Sequence, residues 1–314
     1  MSLPFSEADL CKDDAVDHTE TLQVLLKGLG VPYLSEASAK FRPGIWSTRR
    51  RLFSVSTEAA PVDTLALRLD EVLAVLGMAS ADRLAFLAPL QDPVYNAAPP
   101  HFLHLGVEDA RCKAYWEAEP PAASQVAGRH VMYRAWKWHR GESAACSDYV
   151  MLPSARCARQ AIEEELGRLP DSPLHDVLEQ LQVSFALAHE SWPPLTVRVE
   201  ETHNGRATGR DSLNVHLHRA GLPVGTLSGA LFALSRHWEA TSRDDLVAWM
   251  AAHGDHTLSN MSFGHGADGE PFLTCYHGTR RHLPHHTEPP RRSDRIPGIR
   301  GQATSEAAPT HHST

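Results

Sequence analysis

The sequence predicts an α+β protein centred on a closed antiparallel barrel of ten strands, made of five hairpins and surrounded by helices. Three observations predict it. Strand-like runs come in pairs across short, turn-rich connections. Helical runs separate several of these pairs, and there is no βαβ alternation with the glycine fingerprint of a dinucleotide fold. An open antiparallel sheet of ten strands tends to curl or close, and closure removes its exposed edges. Helices on the outside require apolar outer strand faces, so inner faces can be polar only if the lumen is wet or holds a ligand.

The elements follow in order. Residues 17–29, DHTETLQVLLKGL, carry leucines at helical spacing with Gly30 as a stop. Residues 44–56 (GIWSTRRRLFSVS) and 63–70 (DTLALRLD) read as the first strand pair, across TEAAPV. EVLAVLGM and SADRLAFLAPL read as helix, and 91–100 as a loop. The second hairpin is 101–108 with 112–119, and the third is 130–139 with 147–153. Helices return over 156–185. The fourth hairpin, 195–201 with 211–218, spans THNGRATGR. Two more helices follow, the second with Ser242 as N-cap. The fifth hairpin is 258–265 with 271–278, across GADG. Residues 1–278 are therefore expected to form a single barrel domain. Residues 279–314, rich in Arg, Pro, His and Ser, are expected to be a disordered tail, because they bury too little apolar surface to offset ordering entropy.

The chain has 314 residues, a formal charge of −8, 42% hydrophobic and 22% charged residues. That balance argues against nucleic-acid binding over the whole surface, while leaving room for a local basic cavity. Cys11, Cys112, Cys146, Cys157 and Cys275 are scattered and odd in number, as expected of free thiols in the cytoplasm. The N-terminus has no basic start or long apolar run, so no signal peptide is expected. No run approaches the roughly 18 apolar residues of a membrane-spanning helix.

Alternation along the strands sorts the candidate site residues. In ARCKAYWEAEP (110–120), Lys113, Tyr115 and Glu117 share one face and Cys112, Ala114 and Trp116 the other. Asn214, His216 and His218 share a face of DSLNVHLH, as do Thr196, Arg198 and Glu200 of LTVRVEE, and Phe272, Thr274 and Tyr276 of PFLTCYHG. Each face alone reads equally as the wet side of a sheet. Together, Lys113, Arg198, Arg68 and Lys137 supply cations, and the tyrosines, His216 and the tryptophans supply rings and donors. Cations with hydroxyls hold a diphosphate, and aromatic faces stabilise a carbocation. Trp136 and Trp138 of MYRAWKWHR read either as core against helices or as a stacking surface.

These residues carry a resemblance. LHLGVEDARCKAYWEAEP resembles the second hairpin of the aromatic prenyltransferases of the dimethylallyltryptophan synthase (ABBA) type, with Lys113 and Tyr115 at its K-x-Y positions. PVDTLALRLD is similar to that family's acidic position followed by an arginine strand, which places Asp63 and Arg68 there. RDSLNVHLH is similar to its R-x-K-x-Y strand, with Asn214 and His216 where Lys and Tyr are expected, and FLTCYHG to its last strand, with Tyr276. The resemblance implies transfer of a dimethylallyl or longer prenyl group from its diphosphate to indole, tryptophan or another aromatic acceptor. It implies Asp63 as the acid bonding the acceptor N–H. Arg68, Lys113, Tyr115, Arg198, Asn214, His216 and Tyr276 would line the diphosphate, and Trp136 and Trp138 would flank the acceptor or shield the cation. It implies no required cofactor or bound metal, with magnesium at most stimulatory, and a monomer or homodimer without membrane or nucleic-acid partners.

Two other readings stand beside it. A barrel that binds small molecules or serves a pathway without catalysis would explain Asn214 and His216. A metalloenzyme would use some of the 20 histidines, beginning with the H-x-H of His216 and His218, with His253, His256, His265 and His277 following without a third ligand fixed by spacing. DDAVD (13–17) matches a magnesium-diphosphate pattern, although its place ahead of the first helix suits capping.

Overall fold

In the computed structural model the described residues are 18–91, 100–119, 128–169 and 172–284. DDAVD, most of the 91–100 loop and the tail from 285 onward lie outside them. The chain order is α1 (His18–Gly28), β1 (Tyr33–Arg42), β2 (Ile45–Ser47), β3 (Arg50–Ser56), α2 (Val62–Val75), α3 (Ser80–Gln91), β4 (Phe102–Glu108) and β5 (Arg111–Glu117). Then come β6 (Val131–Trp138), β7 (Ala145–Met151), α4 (Ala155–Gly167), α5 (Leu174–Leu187), β8 (Thr196–His203), β9 (Arg206–Ala207) and β10 (Asp211–His216). The last four are α6 (Ser228–His237), α7 (Arg243–His253), β11 (Leu258–His265) and β12 (Pro271–His282).

Ten strands close into one antiparallel barrel in the order β1-β3-β4-β5-β6-β7-β8-β10-β11-β12, and β12 returns to β1. The short β2 and β9 pair off this ring with β1 and β8. Helices cover the outside in two groups. Leu25 and Leu26 of α1, Leu69 and Leu73 of α2, and Phe86 of α3 pack with Trp136 and Trp138. Elements α4 to α7 pack against Leu213, Val215, Met261 and Leu273. The apolar core therefore lies between barrel and helices, and the polar strand faces point inward.

The first strand pair differs from the sequence expectation. Residues 63–70 are not a strand but part of α2, whose Leu65, Ala66, Leu69, Val72 and Leu73 form one buried stripe. Leucines at 65, 67 and 69 satisfy a period of two, and only the longer run shows the helical period. The partner of β3 is β1, YLSEASAKFR, which the sequence reading passed over. The strand total survives because one strand replaces another. Strand β12 also runs on to His282, past the expected boundary at 278.

Gly264 of β11 has φ +131°, and a Cβ there would meet Asp211 O at 2.6 Å and Ser212 Cα at 2.7 Å. Both are backbone atoms of β10, so neither can yield. Gly264→Ala should therefore destabilise the fold by about 2 kcal/mol or more, read as a lower urea midpoint.

Candidate active site

The barrel encloses a cavity of about 280 Å³, close to the lower end, about 300 Å³, of small-ligand sites. Its wall is sorted by chemistry, because residues paired at one level of neighbouring antiparallel strands share a face, and single strands step from acid to cation along their length: Glu36, Ser38 and Lys40 on β1, and Glu117, Tyr115 and Lys113 on β5.

One end is cationic. The levels Glu108↔Arg50, Glu108↔Arg111 and Lys113↔Lys137 bring together side chains from β3, β4, β5 and β6. Lys40 joins them from β1 and Arg210 from the approach to β10. Glu108 pairs with Arg50 and Lys113, and lies 3.5 Å from Lys40. Glu201 of β8 accepts from Lys137 at 2.7 Å and from Ser147 at 3.0 Å, with Arg210 at 3.6 Å. Five cations thus share two carboxylates among the described residues, with Arg111 opposite Glu108 as a sixth positive charge. Burial, then the charges of Arg50, Arg210, Arg42 and Arg111, brings the Lys40 ammonium down to about 7. Burial, then Arg50 and Lys40, depresses Lys113 in the same way. Burial pushes the Glu201 carboxyl up, but Lys137 and Arg210 outweigh it and hold it at about 2. The excess of buried positive charge is the mark of an anion site.

The middle is a collar of hydroxyls and rings. Tyr115 and Tyr149 meet edge to face at 6.1 Å, and Tyr149 meets Tyr133 at 5.8 Å. Tyr276 sits beside Ser38 of β1 and Asn260 of β11, with its hydroxyl against Arg50. Burial raises all four phenols, so they are neutral donors. Asn214 lies beside Val197 and Ser262 at this level.

The opposite end carries two acids. Thr279 donates to Glu36 at 3.0 Å, and Ser259 donates to the same oxygen. Burial pushes the Glu36 carboxyl up against those hydrogen bonds. Glu117 bonds His104 Nε2 at 2.9 Å and accepts from Tyr133 at 3.1 Å. Burial raises Glu117, but His104 and Tyr133 outweigh it and leave its pKa low. His216 stacks on Tyr133 at 5.9 Å, and burial with the neighbouring His218 lowers it to about 4, so the ring is neutral. His216 Nε2 and Asn260 Oδ1 are buried on this wall without a hydrogen-bond partner among the described residues.

The structure brings Lys113, Tyr115, Asn214, His216 and Tyr276 to this single lumen. It does not bring the others. Asp63 lies exposed in the first turn of α2, outside the barrel, and Arg68 pairs with Glu71 on the same helix at 3.1 Å. Both were assigned to a strand that does not exist. Arg198 faces outward and lies 3.6 Å from Glu164 of α4. The inward face of β8 is Val197, Val199 and Glu201, as the level Asn214↔Val197 requires. Trp136 and Trp138 are also outside. Trp136 meets Phe86 of α3 edge to face at 5.3 Å, and Trp138 donates to the Leu76 carbonyl at 3.1 Å.

Sequence reasoning missed Glu36, Lys40, Arg50, Arg210, Tyr133 and Tyr149 as lumen residues. Glu36, Ser38 and Lys40 alternate with Ala37, Ala39 and Phe41, so the signal was present in the unassigned strand. Tyr133 and Lys137 alternate against Trp136 and Trp138 on β6, where the tryptophans drew the functional reading instead.

No family model matches the chain, and no curated protein matches it. Solved structures do. The 5-dimethylallyl tryptophan synthase from Streptomyces coelicolor, solved in complex with DMASPP and Trp, superposes with a TM-score of 0.50 at 14% identity, over 78% of each chain. The chain has the prenyltransferase-barrel (ABBA) fold. Two further structures match over 78% of this chain at a TM-score of 0.48 and 15% identity. They are the 6-dimethylallyltryptophan synthase from Micromonospora olivasterospora with DMASPP and Trp, covered over 81%, and PriB with product diphosphate, covered over 79%. In the ABBA barrel described here, the cationic, tyrosine and acidic zones all belong to the lumen.

Proposed function

We propose that the protein is an aromatic prenyltransferase. It takes a dimethylallyl or longer prenyl diphosphate and an electron-rich aromatic acceptor, with indole or tryptophan foremost. The observation that carries this reading is the axial order of the lumen: excess cations, then a tyrosine collar, then Glu36. A diphosphate among Lys40, Arg50, Lys113 and Arg210 leaves as the C–O bond ionises, taking the bonding pair. The collar of Tyr115, Tyr149 and Tyr276 surrounds the allyl cation with π faces and keeps out water. The acceptor ring attacks from the acidic end, where the Glu36 carboxylate accepts a hydrogen bond from its N–H or O–H and then takes up the proton that the ring carbon loses. Glu36 takes the part the sequence reading gave to Asp63. Asn214 and His216 are neutral, which leaves the positive charge to Lys40 of β1, Arg50 of β3, Lys113 of β5 and Arg210 ahead of β10.

Incubation with dimethylallyl diphosphate and a panel of indoles and phenols tests the proposal. The expected result is diphosphate release matched by a prenylated acceptor. Tight diphosphate binding without turnover on any acceptor would replace it with a binding barrel.

The lysines add a second test. Lys40 titrates at about 7 in the folded protein against an ordinary value near 10.5. Because its folded value is depressed, its contribution to stability is full above the ordinary value and is lost as pH falls through 7. Apo-protein stability should therefore rise from pH 7 to 9. A prenyl diphosphate, which unlike inorganic diphosphate carries almost no titratable proton at pH 8, stabilises the charged lysine, so its binding at pH 8 should take up protons, read by calorimetry in buffers of different ionisation enthalpy. Proton release on binding would contradict the site.

A further inference from the structure

Three histidines outside the lumen converge on one point. His253 is the last residue of α7, His256 follows three residues later, and His277 projects outward from β12 with 1% exposure, back to back with Tyr276. Their ring centroids lie 5.1, 5.1 and 5.4 Å apart, and one nitrogen from each falls within 4.8 Å of the others. His256 Nδ1 and His277 Nδ1 are 3.2 Å apart. A tetrahedral zinc ion with bonds of about 2.0–2.1 Å holds imidazole nitrogens roughly 3.4 Å apart.

The surroundings are built for this approach. His253 Nδ1 is buried with no hydrogen-bond partner among the described residues. Buried polar atoms left unpaired are uncommon and call for an explanation. Gly278 has φ +70°, and a Cβ there would stand 2.7 Å from His256 Nδ1, so the glycine is what lets β12 approach the ring. Trp249 of α7 packs edge-on against His277 at 5.4 Å and walls the cluster on one side. The loop between the ligands is fixed by backbone bonds from Val224 to His256 and from Gly225 to Gly254.

We propose that His253, His256 and His277 form a zinc site that clamps the C-terminal end of α7 to β12. Three imidazoles suit zinc or another late divalent metal, whereas magnesium and calcium require oxygen ligands. Solvent or a small anion completes the fourth position. The ion lies on the outer face of β12 while the cavity lies on the inner face, so the clamp is structural and independent of the transferase reading.

The test uses the full chain, stripped with a chelator and titrated with zinc and with cobalt. One equivalent of zinc should bind and raise the melting temperature, and cobalt should give the intense visible bands of a four-coordinate site. His256→Ala and His253→Gln, checked for folding by circular dichroism, should each weaken zinc binding on the order of 100-fold. His285→Ala/His286→Ala in the tail should leave binding unchanged. Absence of zinc binding by the wild-type chain would overturn the proposal. So would binding that survives both cluster variants but is lost in the tail variant.

Discussion

Lys113→Met is expected to lower kcat/KM for the prenyl diphosphate by about 10²–10³, the usual effect of removing one donor aimed at developing charge. The fold should not suffer. Lys113 is a desolvated cation placed opposite Lys137 and near Lys40 and Arg50. Removing it relieves like-charge repulsion, and Glu108 keeps Arg50 and Lys40 as partners. The melting temperature of the free protein should therefore stay level or rise while activity falls. Inorganic diphosphate should then bind more weakly and stabilise the variant less. Wild-type turnover in a folded Lys113→Met protein would remove the cationic end from the mechanism.

Glu36→Gln separates the other end of the lumen. If Glu36 accepts the acceptor's proton, the amide loses about 10²–10⁴ in kcat, the range of general-base effects. Diphosphate affinity should hardly change, because Glu36 stands at the acidic end of the inward face of β1 and Lys40 at its cationic end. Burial raises the Glu36 pKa, so the active carboxylate is lost as pH falls through that raised value, and the rate should fall on the acid side. The Gln variant should lack this acid limb. Glu117→Gln is the comparator. His104 and Tyr133 keep the Glu117 pKa low, so it contributes no limb near neutrality, and its loss should act on acceptor KM. An unchanged acid limb in Glu36→Gln would move the base elsewhere.

The barrel was legible in the sequence because hairpins carry two signals at once, alternation and turn chemistry. Four of the five hairpins needed nothing more. The first failed because β1 and β3 are joined through a small side strand, β2, which blurs the hairpin, while α2 begins with leucines two apart. That one misreading displaced the acid. Asp63 was chosen on a helix, while Glu36 stood in the strand passed over. Facing was legible where one side of a strand was wholly apolar, as around Lys113 and Tyr115. It was misleading on β8, where Arg198 lies against an outer helix and the inward face has only Glu201 as a charge. Arg50 and Arg210 lie beside further arginines or in a turn-rich connection, where alternation says little about direction. Partner levels around the ring decide such positions, and they exist only in the closed barrel.

Closure through β1 and β12 also bears on how the protein is made. Tyr33 pairs with His282 and Phe41 with Leu273, so the seam joins residues more than two hundred positions apart. Until β12 is synthesised, β1 and β11 each present a bare edge, the kind of template on which nascent chains aggregate. Contacts of such long range form late, since the loop between them must first be ordered. The ribosome therefore delivers a sheet that is open on one side. The last strand of the barrel supplies Tyr276, shuts the lumen and brings Thr279 to Glu36, so the chamber is completed only when the barrel closes.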